Sequence, residues 1–405
     1  MTDLAHSDAE ASRVDQAIDV LLAEHDPTVT DPVRFLGSQY DAGLAWVSFP
    51  PGHGGLGVPP SLQKHVARRL QAAGAPKGIA HNPLGYGMGA PTVVAHGTME
   101  QKQRLLRPLF TGEEVWCQLF SEPGAGSDLA GLATCAVPDG DAWIVNGQKV
   151  WTSWAHLARW GMLVARTDPS VAKHRGLSYF ICDMTAPGVD VRPLRQLTGH
   201  AEFNEVYLTD VRLPSSLMLG QPGEGWAVAL TTLNNERYML SEGLAADSAM
   251  REAIRLWRAR PDKMSSEAMN LRGRLLELYV RVEATRLTTL RAEEQRDSGT
   301  VGPEGAVAKL ATTQLNQQVT ELCVDLLGPA GMLYGSYNEL RQPELSDVVG
   351  VEADTPMRAY LRARANTIEG GTSEVLRNTL GERVLGLPAD IRVDKTLPWN
   401  QLRRS

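Results

Sequence analysis

The apolar positions along the chain change their period twice. Val14, Ala17, Ile18, Leu21 and Leu22 fall at the i, i+3, i+4, i+7 and i+8 spacing of one helical face. Leu62, Val66 and Leu70 repeat every four residues behind Pro59-Pro60-Ser61, a helix-start signal, and residues 50–60, rich in Gly and Pro, read as the loop before it. Thr98 and Gln101 have capping-box spacing, opening a helix that Pro108 is expected to end or kink. From about Val115 to Pro214 the period shortens to that of strands. Runs at residues 142–145, 161–165, 177–181 and 205–208 predict a sheet, with turns expected at Asp139-Gly140 and Asn146-Gly147. Beyond Gly223-Glu224-Gly225-Trp226 the helical period returns. Leu271, Leu275, Leu278 and Val282, then Ala306, Leu310, Thr313, Val319, Leu322 and Leu326, predict long buried helices with the period of a four-helix bundle. Residues 336–358, irregular and rich in Glu, Asp and Pro, read as a loop. The pattern predicts an α+β multidomain chain: an N-terminal helical domain over residues 1–114, a middle β-sheet domain over 115–220 and a C-terminal helical bundle over 221–405.

Composition narrows function more than fold. Apolar residues make up 43% and charged residues 21%, the balance of a globular protein. The formal net charge of −7 argues against a nucleic-acid partner, which needs a basic face. Short basic runs such as Arg68-Arg69 and Arg362-Ala363-Arg364 read as solvated helix faces. The four cysteines lie far apart without a CxxC pair, and the nine histidines form no HExxH or HxxxH, so neither a metal site nor a disulfide framework is expected. The acidic start Met1-Thr2-Asp3-Leu4 has no apolar segment of a secretory signal behind it, and no apolar run is long enough to span a bilayer. A cytoplasmic location without membrane insertion is the expectation.

Three segments can carry chemistry. Ser121-Glu122-Pro123-Gly124-Ala125-Gly126-Ser127-Asp128 follows a predicted strand, where glycines and hydroxyls let backbone N–H groups approach a polar ring or phosphate. Lys149-Val150-Trp151-Thr152-Ser153 places an indole beside small hydroxyl residues, able to stack on a flat ring and bond its edge. Asn366-Thr367-Ile368-Glu369-Gly370-Gly371-Thr372-Ser373-Glu374-Val375 joins a Gly turn to a helix capped by Thr372 or Ser373, whose free N–H groups suit a phosphate or carbonyl oxygen. Taken singly, each has an ordinary explanation: a Gly-rich turn, a core tryptophan, a capped helix.

Together they resemble the acyl-CoA dehydrogenases over nearly the full length. EPGAGSD at residues 122–128 is the most specific element, followed by Gly-Gly-Thr-Ser-Glu-Val with Gly381-Glu382-Arg383; Gly328 matches the family's Gly-rich turn, with Pro329 where a second glycine is common. The resemblance implies FAD as cofactor and a reaction that oxidises the α,β bond of an acyl-CoA thioester. It places Gln118, Phe120 and Ser121 on the flavin's pyrimidine edge, Trp151, Thr152 and Ser153 over its ring system with the Ser153 hydroxyl near N5, and Ser127 on cofactor and substrate. Thr372 and Glu374 match contacts to the adenosine half of FAD, usually across a subunit boundary, with Gly328 nearby. Asp325 stands where a glutamine commonly binds that half.

The base that removes the α proton has two candidates. In short- and medium-chain members it immediately precedes a Gly-Thr pair, but here that position is Gly370, and Glu369 lies one residue early. Isovaleryl- and long-chain-type members carry it on a helix in a Glu-Arg pair, with a small residue in the loop, and Glu236-Arg237 with Gly370 has that combination. The expectation is therefore Glu236, at the start of a long helix, as base, with the Gly370 N–H on the thioester oxygen and Asn234 and Arg237 as substrate contacts. The family's Arg-x-x-Phe-Gly element is missing: the region reads Arg258-Ala259-Arg260-Pro261-Asp262-Lys263-Met264, leaving Arg272 or Arg274 as replacements. That departure keeps open a half-site subunit of a heterotetramer beside a homodimer or homotetramer. A flavin monooxygenase on the same fold needs no carboxylate base, which the Glu236–Gly370 pairing disfavours. The implied electron acceptor is an electron-transfer flavoprotein.

Overall fold

The computed structural model describes residues 2–78, 82–242, 245–297, 302–333, 355–389, 391, 394 and 396–402, the side chains of 2–7, 237–242, 245, 293, 296 and 297 excepted. Among the described residues the helices that come first are α1 (Thr2–Glu24), α2 (Pro32–Asp41), α3 (Gln63–Ala72), α4 (Ala90–His96) and α5 (Met99–Thr111). The face read from the sequence is the buried one: Val14, Ile18 and Leu21 pack with Phe35, Leu44, Val66 and Leu70. Thr98 and Gln101 form the capping box, each side chain bonding the other's backbone N–H. Pro108 does not end α5, which runs on to Thr111 and stops at the left-handed Gly112. Leu105, Leu106, Leu109 and Phe110 straddle the proline and are all buried. At roughly 1.5–3 kcal/mol for each large apolar side chain, their burial outweighs the roughly 3 kcal/mol an interior proline costs.

The middle of the chain forms one sheet from β1 (Trp116–Leu119), β2 (Cys135–Asp139), β3 (Ala142–Ser153), β4 (Trp160–Arg166), β5 (Leu177–Asp183), β6 (Val189–Leu194), β7 (Phe203–Pro214) and β8 (Met218–Leu219). The strand order is β6-β7-β3-β2-β4-β5-β8, with β1 parallel to β4. Alternation divides β4 and β5 between two cores. Met162, Val164, Tyr179 and Ile181 join the N-terminal helices, whereas Leu163, Ala165, Phe180 and Cys182 pack with Val206 and Leu208. Asp139-Gly140 is the hairpin turn between β2 and β3, as expected. Asn146-Gly147 is not a turn but a bulge within β3, where the register to β7 slips. The Asn146 side chain exchanges two hydrogen bonds of 2.9 Å with Asp210, and a side chain at 147 would strike Thr134, so the dipeptide's turn chemistry bends a continuing strand.

The rest is helical: α6 (Gly225–Glu242), α7 (Ala245–Ala259), α8 (Ser266–Asp297), α9 (Glu304–Leu327), α10 (Pro356–Ala363) and α11 (Ser373–Arg383). Leu271, Leu275, Leu278 and Val282 of α8 meet Leu315, Val319, Leu322 and Leu326 of α9 and the buried face of α7. Of the loop expected over 336–358, residues to 354 lie outside those described, and 356–358 already belong to α10, which Thr355 caps. The last segment returns to the sheet. Trp399 stacks under the Arg166 guanidinium at 4.2 Å and donates to Gly131 O at 3.1 Å, while Asp394 pairs with Lys173. No helix among the described residues is long and apolar enough to cross a membrane, and none of their His, Cys, Asp and Glu groups could hold a metal.

Candidate active site

Behind β1 the Gly-rich loop is built on a buried carboxylate. Glu122 and Ala125 exchange backbone hydrogen bonds of 3.0 and 3.1 Å, closing the turn. The Glu122 side chain accepts from Ala133 N (2.6 Å), Thr134 N (2.9 Å) and Lys149 Nζ (2.8 Å), and the same ammonium donates to Phe120 O at 3.0 Å. Burial alone would raise the Glu122 pKa, but the Lys149 charge and the N–H donors outweigh it and hold the carboxyl below its usual value. A further bond, Val150 N to Ser121 O at 2.9 Å, ties the loop to β3. Gln118 and Ser121 are half-buried, Phe120 is buried and Ser127 is exposed. Side chains at Gly124 or Gly126 would meet nothing within 4 Å, so this face of the loop is open.

The second segment lies where β3 bulges again, between Lys149 and Thr152. Trp151 takes a left-handed conformation (φ 60°), unusual for a bulky residue, and its indole is 58% exposed, edge-on to Phe203 at 6.0 Å. Thr152 is buried, its carbonyl accepts from Asn204, and its hydroxyl has no partner. Ser153 beside it is half-buried. An outward indole next to an orphaned buried hydroxyl fits a flat, hydrogen-bonding ring.

The two candidate bases lie on different elements. Glu236 is not at a helix start: α6 begins at Gly225, whose Cα lies so close to the Ser178 backbone that only glycine fits, which sets Glu236 three turns in. There it is half-buried, and Gln118 Nε2 donates to its Oε2 at 3.3 Å, bringing the helix to the end of β1. Asn234 is exposed, and the side chain of Arg237 lies outside the described residues. Glu369 is engaged at both oxygens, by Arg362 Nη2 at 2.9 Å and Asn366 Nδ2 at 2.6 Å. Gly370 and Gly371 follow with φ of 63° and 97°, a turn open to glycine. Thr372 caps α11 by accepting from Val375 N at 3.1 Å, Ser373 is buried with an unpartnered hydroxyl, and Glu374 is exposed beside Arg377.

Asp325 and Gly328 lie elsewhere. Asp325 accepts from Arg274 at 2.6 Å, and both line an open groove of about 700 Å³ with Gly328, Ser266 and Asn270. Along α9 that groove is about 24 Å from the end that meets the Gly370 turn, at 1.5 Å per residue. The expected site residues therefore fall into two places on one chain. Arg272 is exposed, and of the two expected replacements it is Arg274 that reaches Asp325.

Fold and site together define a flavoprotein dehydrogenase: the chain belongs to the acyl-CoA dehydrogenase family. Family models describe its residues 9–113 as the N-terminal domain, 117–211 as the middle domain and 223–385 as the C-terminal domain of acyl-CoA dehydrogenases. Acyl-CoA dehydrogenase IpdE1 of Mycobacterium tuberculosis is 38% identical over 87% of this chain and 86% of its own length; FadE34 of the same organism is 37% identical over 86% of this chain and 45% of its own. Among solved structures, the Tcur3481-Tcur3483 steroid ACAD superposes with a TM-score of 0.71 at 26% identity, over 96% of this chain and 98% of that one. The ChsE4-ChsE5 complex from Mycobacterium tuberculosis gives 0.70 at 27% identity, over 95% and 98%. The protein is an FAD-dependent oxidoreductase of acyl-CoA thioesters.

Sequence reasoning missed what holds the loops. Lys149, Lys309, Arg362 and Asn366 do the holding, and the first two are buried lysines, which a pattern reader assigns to the surface. The one available signal is that Lys309 interrupts the small apolar run Ala306-Val307-Ala308-Lys309-Leu310-Ala311.

Proposed function

We propose that Glu236 removes the α proton of an acyl-CoA thioester, giving a trans-2-enoyl-CoA. FAD, when bound, supplies the acceptor for the β hydride. The Gln118–Glu236 contact carries the reading, because it places a half-buried carboxylate against the strand end expected to meet the flavin edge. Glu369 is the poorer base, since it stands one residue before the position that precedes the Gly371-Thr372 pair, held there by Arg362 and Asn366. The left-handed Gly370 turn supports an N–H donor to the thioester oxygen, where negative charge grows as the proton leaves. Gln118, Phe120, Ser121, Ser127, Trp151, Thr152 and Ser153 would hold the flavin ring, with Ser127, Asn234 and Arg237 on the substrate. Thr372, Glu374, Asp325 and Gly328 would serve the adenosine half. Domain boundaries at 114/115 and 220/221, and an electron-transfer flavoprotein as acceptor, belong to the same reading.

E236Q tests it: flavin reduction by substrate falls by roughly 10²- to 10⁴-fold with FAD still bound, whereas near-normal reduction sinks the assignment. A bulky acyl group is the first substrate to try, since one structural relative is named a steroid enzyme.

A second reading rests on the Arg274–Asp325 pair. It ties up the groove residue expected to meet adenosine, and both solved relatives above are named as two-component proteins. In that reading the chain supplies half of a heterotetramer's FAD site. A purified chain that is colourless alone and yellow with a related partner favours it; a yellow chain alone excludes it.

A further inference from the structure

Lys309 is the only lysine of α9, and it points inward with 2% of its surface exposed. Its ammonium donates to Gly371 O at 2.6 Å and Asn366 O at 3.3 Å, the two carbonyls that flank Glu369 and Gly370. Both bonds run to backbone, so they set the path of the turn whatever its side chains are. The neighbouring α9 residues reinforce the grip: Asn316 Nδ2 donates to Asn366 Oδ1 at 2.7 Å and Gln317 Nε2 to Ala363 O at 3.1 Å. A buried ammonium is costly unless it is paired, and here carbonyl oxygens take the place of a direct ion pair. Burial lowers the Lys309 pKa, and the Glu369 and Glu236 carboxylates act in the opposite sense. Among the described residues, the charged groups around the turn include Glu236 on α6, Lys309 on α9, Arg362 on α10, Arg364 just after it, Glu369 in the turn itself and Glu202, 3.9 Å from Arg362.

We propose that Lys309 is a positioning residue for proton removal: it fixes the Gly370 turn through the carbonyls of Asn366 and Gly371 and presents a positive charge to Glu236. The proposal rests on Glu236 as the base and on the Gly370 N–H as the oxygen donor. A turn displaced by about an ångström misplaces that N–H, which costs on the order of 100-fold in rate. The charge favours the ionised base. Its removal is expected to move the acid limb of the rate profile to higher pH, as loss of a nearby cation does for a carboxylate base.

The test compares K309M and K309R with E236Q in the full-length holoenzyme. K309M is expected to keep FAD and lose roughly 10- to 100-fold in kcat, with a smaller change in KM and an acid limb displaced upward. K309R, which keeps donors and charge, recovers most of the loss. In FAD-free protein, amide exchange of the 366–372 segment is faster in K309M than in wild type. A probe for the proton step alone is a 3-thia-acyl-CoA, whose α proton is acidic but whose β position is sulfur and holds no hydride; its long-wavelength band with oxidised flavin appears at higher pH in K309M. Wild-type kcat and pH profile in flavin-loaded K309M overturn the proposal. If K309M does not fold, K309Q keeps an N–H donor without the charge: an upward acid limb supports the proposal, and an unchanged limb overturns it. If neither folds, Lys309 is a structural lysine of the bundle and the proposal falls. The base assignment fails separately, when E236Q still forms the 3-thia-acyl-CoA band; an exchange and kcat defect in K309M alongside that result leaves the loop role standing and removes only the charge role.

Discussion

Two Gly-rich loops, at residues 121–128 and 366–373, are each held by a buried lysine that reaches the backbone. Lys149 takes Phe120 O together with the Glu122 carboxylate at 2.8 Å. Lys309 takes two carbonyls, and Glu369 is held instead by Arg362 and Asn366. The first loop is therefore neutralised internally and stays put. In the second, the lysine's charge has no direct carboxylate partner among its hydrogen bonds. The difference is between a loop whose lysine is paired with the loop's own carboxylate and a loop whose lysine is held by carbonyls alone.

The comparison breaks most severely at Glu122. E122Q leaves Lys149 buried and uncompensated and is expected to cost about 3–5 kcal/mol of unfolding free energy, measured by denaturant titration. Pairing it with K149M recovers much of that loss if the charge pair is the cause. The pH dependence sharpens the point. Because Glu122 titrates below its usual value of 4.5 in the folded protein, its contribution is fully present above about pH 4.5 and lost as pH falls through the depressed value. E122Q lacks this part of the acid destabilisation.

At the second loop the expected effects are smaller. E369Q removes the carboxylate from Arg362 and Asn366 and lowers stability by about 1–3 kcal/mol. Its rate of flavin reduction stays far above that of E236Q in stopped-flow measurements; if the two variants fall equally, the turn supplies the base after all. The smallest change is T372A, which removes the cap bonding Val375 N and costs about 1 kcal/mol in thermal unfolding, without moving the acid limb of the rate profile.

Much of the fold was legible because burial follows period: the spacing of Val14, Ile18 and Leu21, or of Val319, Leu322 and Leu326, states which face is hidden. Local chemistry was less reliable where tertiary contacts overrode it. Asn146-Gly147 has the composition of a turn, yet continued pairing with β7 makes it a bulge. Pro108 is expected to end or kink its helix, and of the two it does not end it: four buried apolar neighbours carry α5 on to Thr111. The helix returns where its period does, at Gly225, which packs on the Ser178 backbone 47 residues away, so Glu236 lies three turns in and not at the helix start. In the site, residue types pointed to the loops themselves but not to the lysines beneath them. An ammonium's burial depends on carbonyls that no one-dimensional pattern displays.

The return of the chain's last described segment has a mechanical consequence. Trp399 under Arg166 and Asp394 on Lys173 close the helical bundle into a loop whose two ends are both fastened to the sheet, one through β8 and the other through the tail. The helix that carries Glu236 has a mooring of its own: the Tyr179 and Thr232 hydroxyls meet at 3.1 Å and Gly225 lies against the Ser178 backbone. A body tied to its support at three points keeps its distance from it even when one tie is lost.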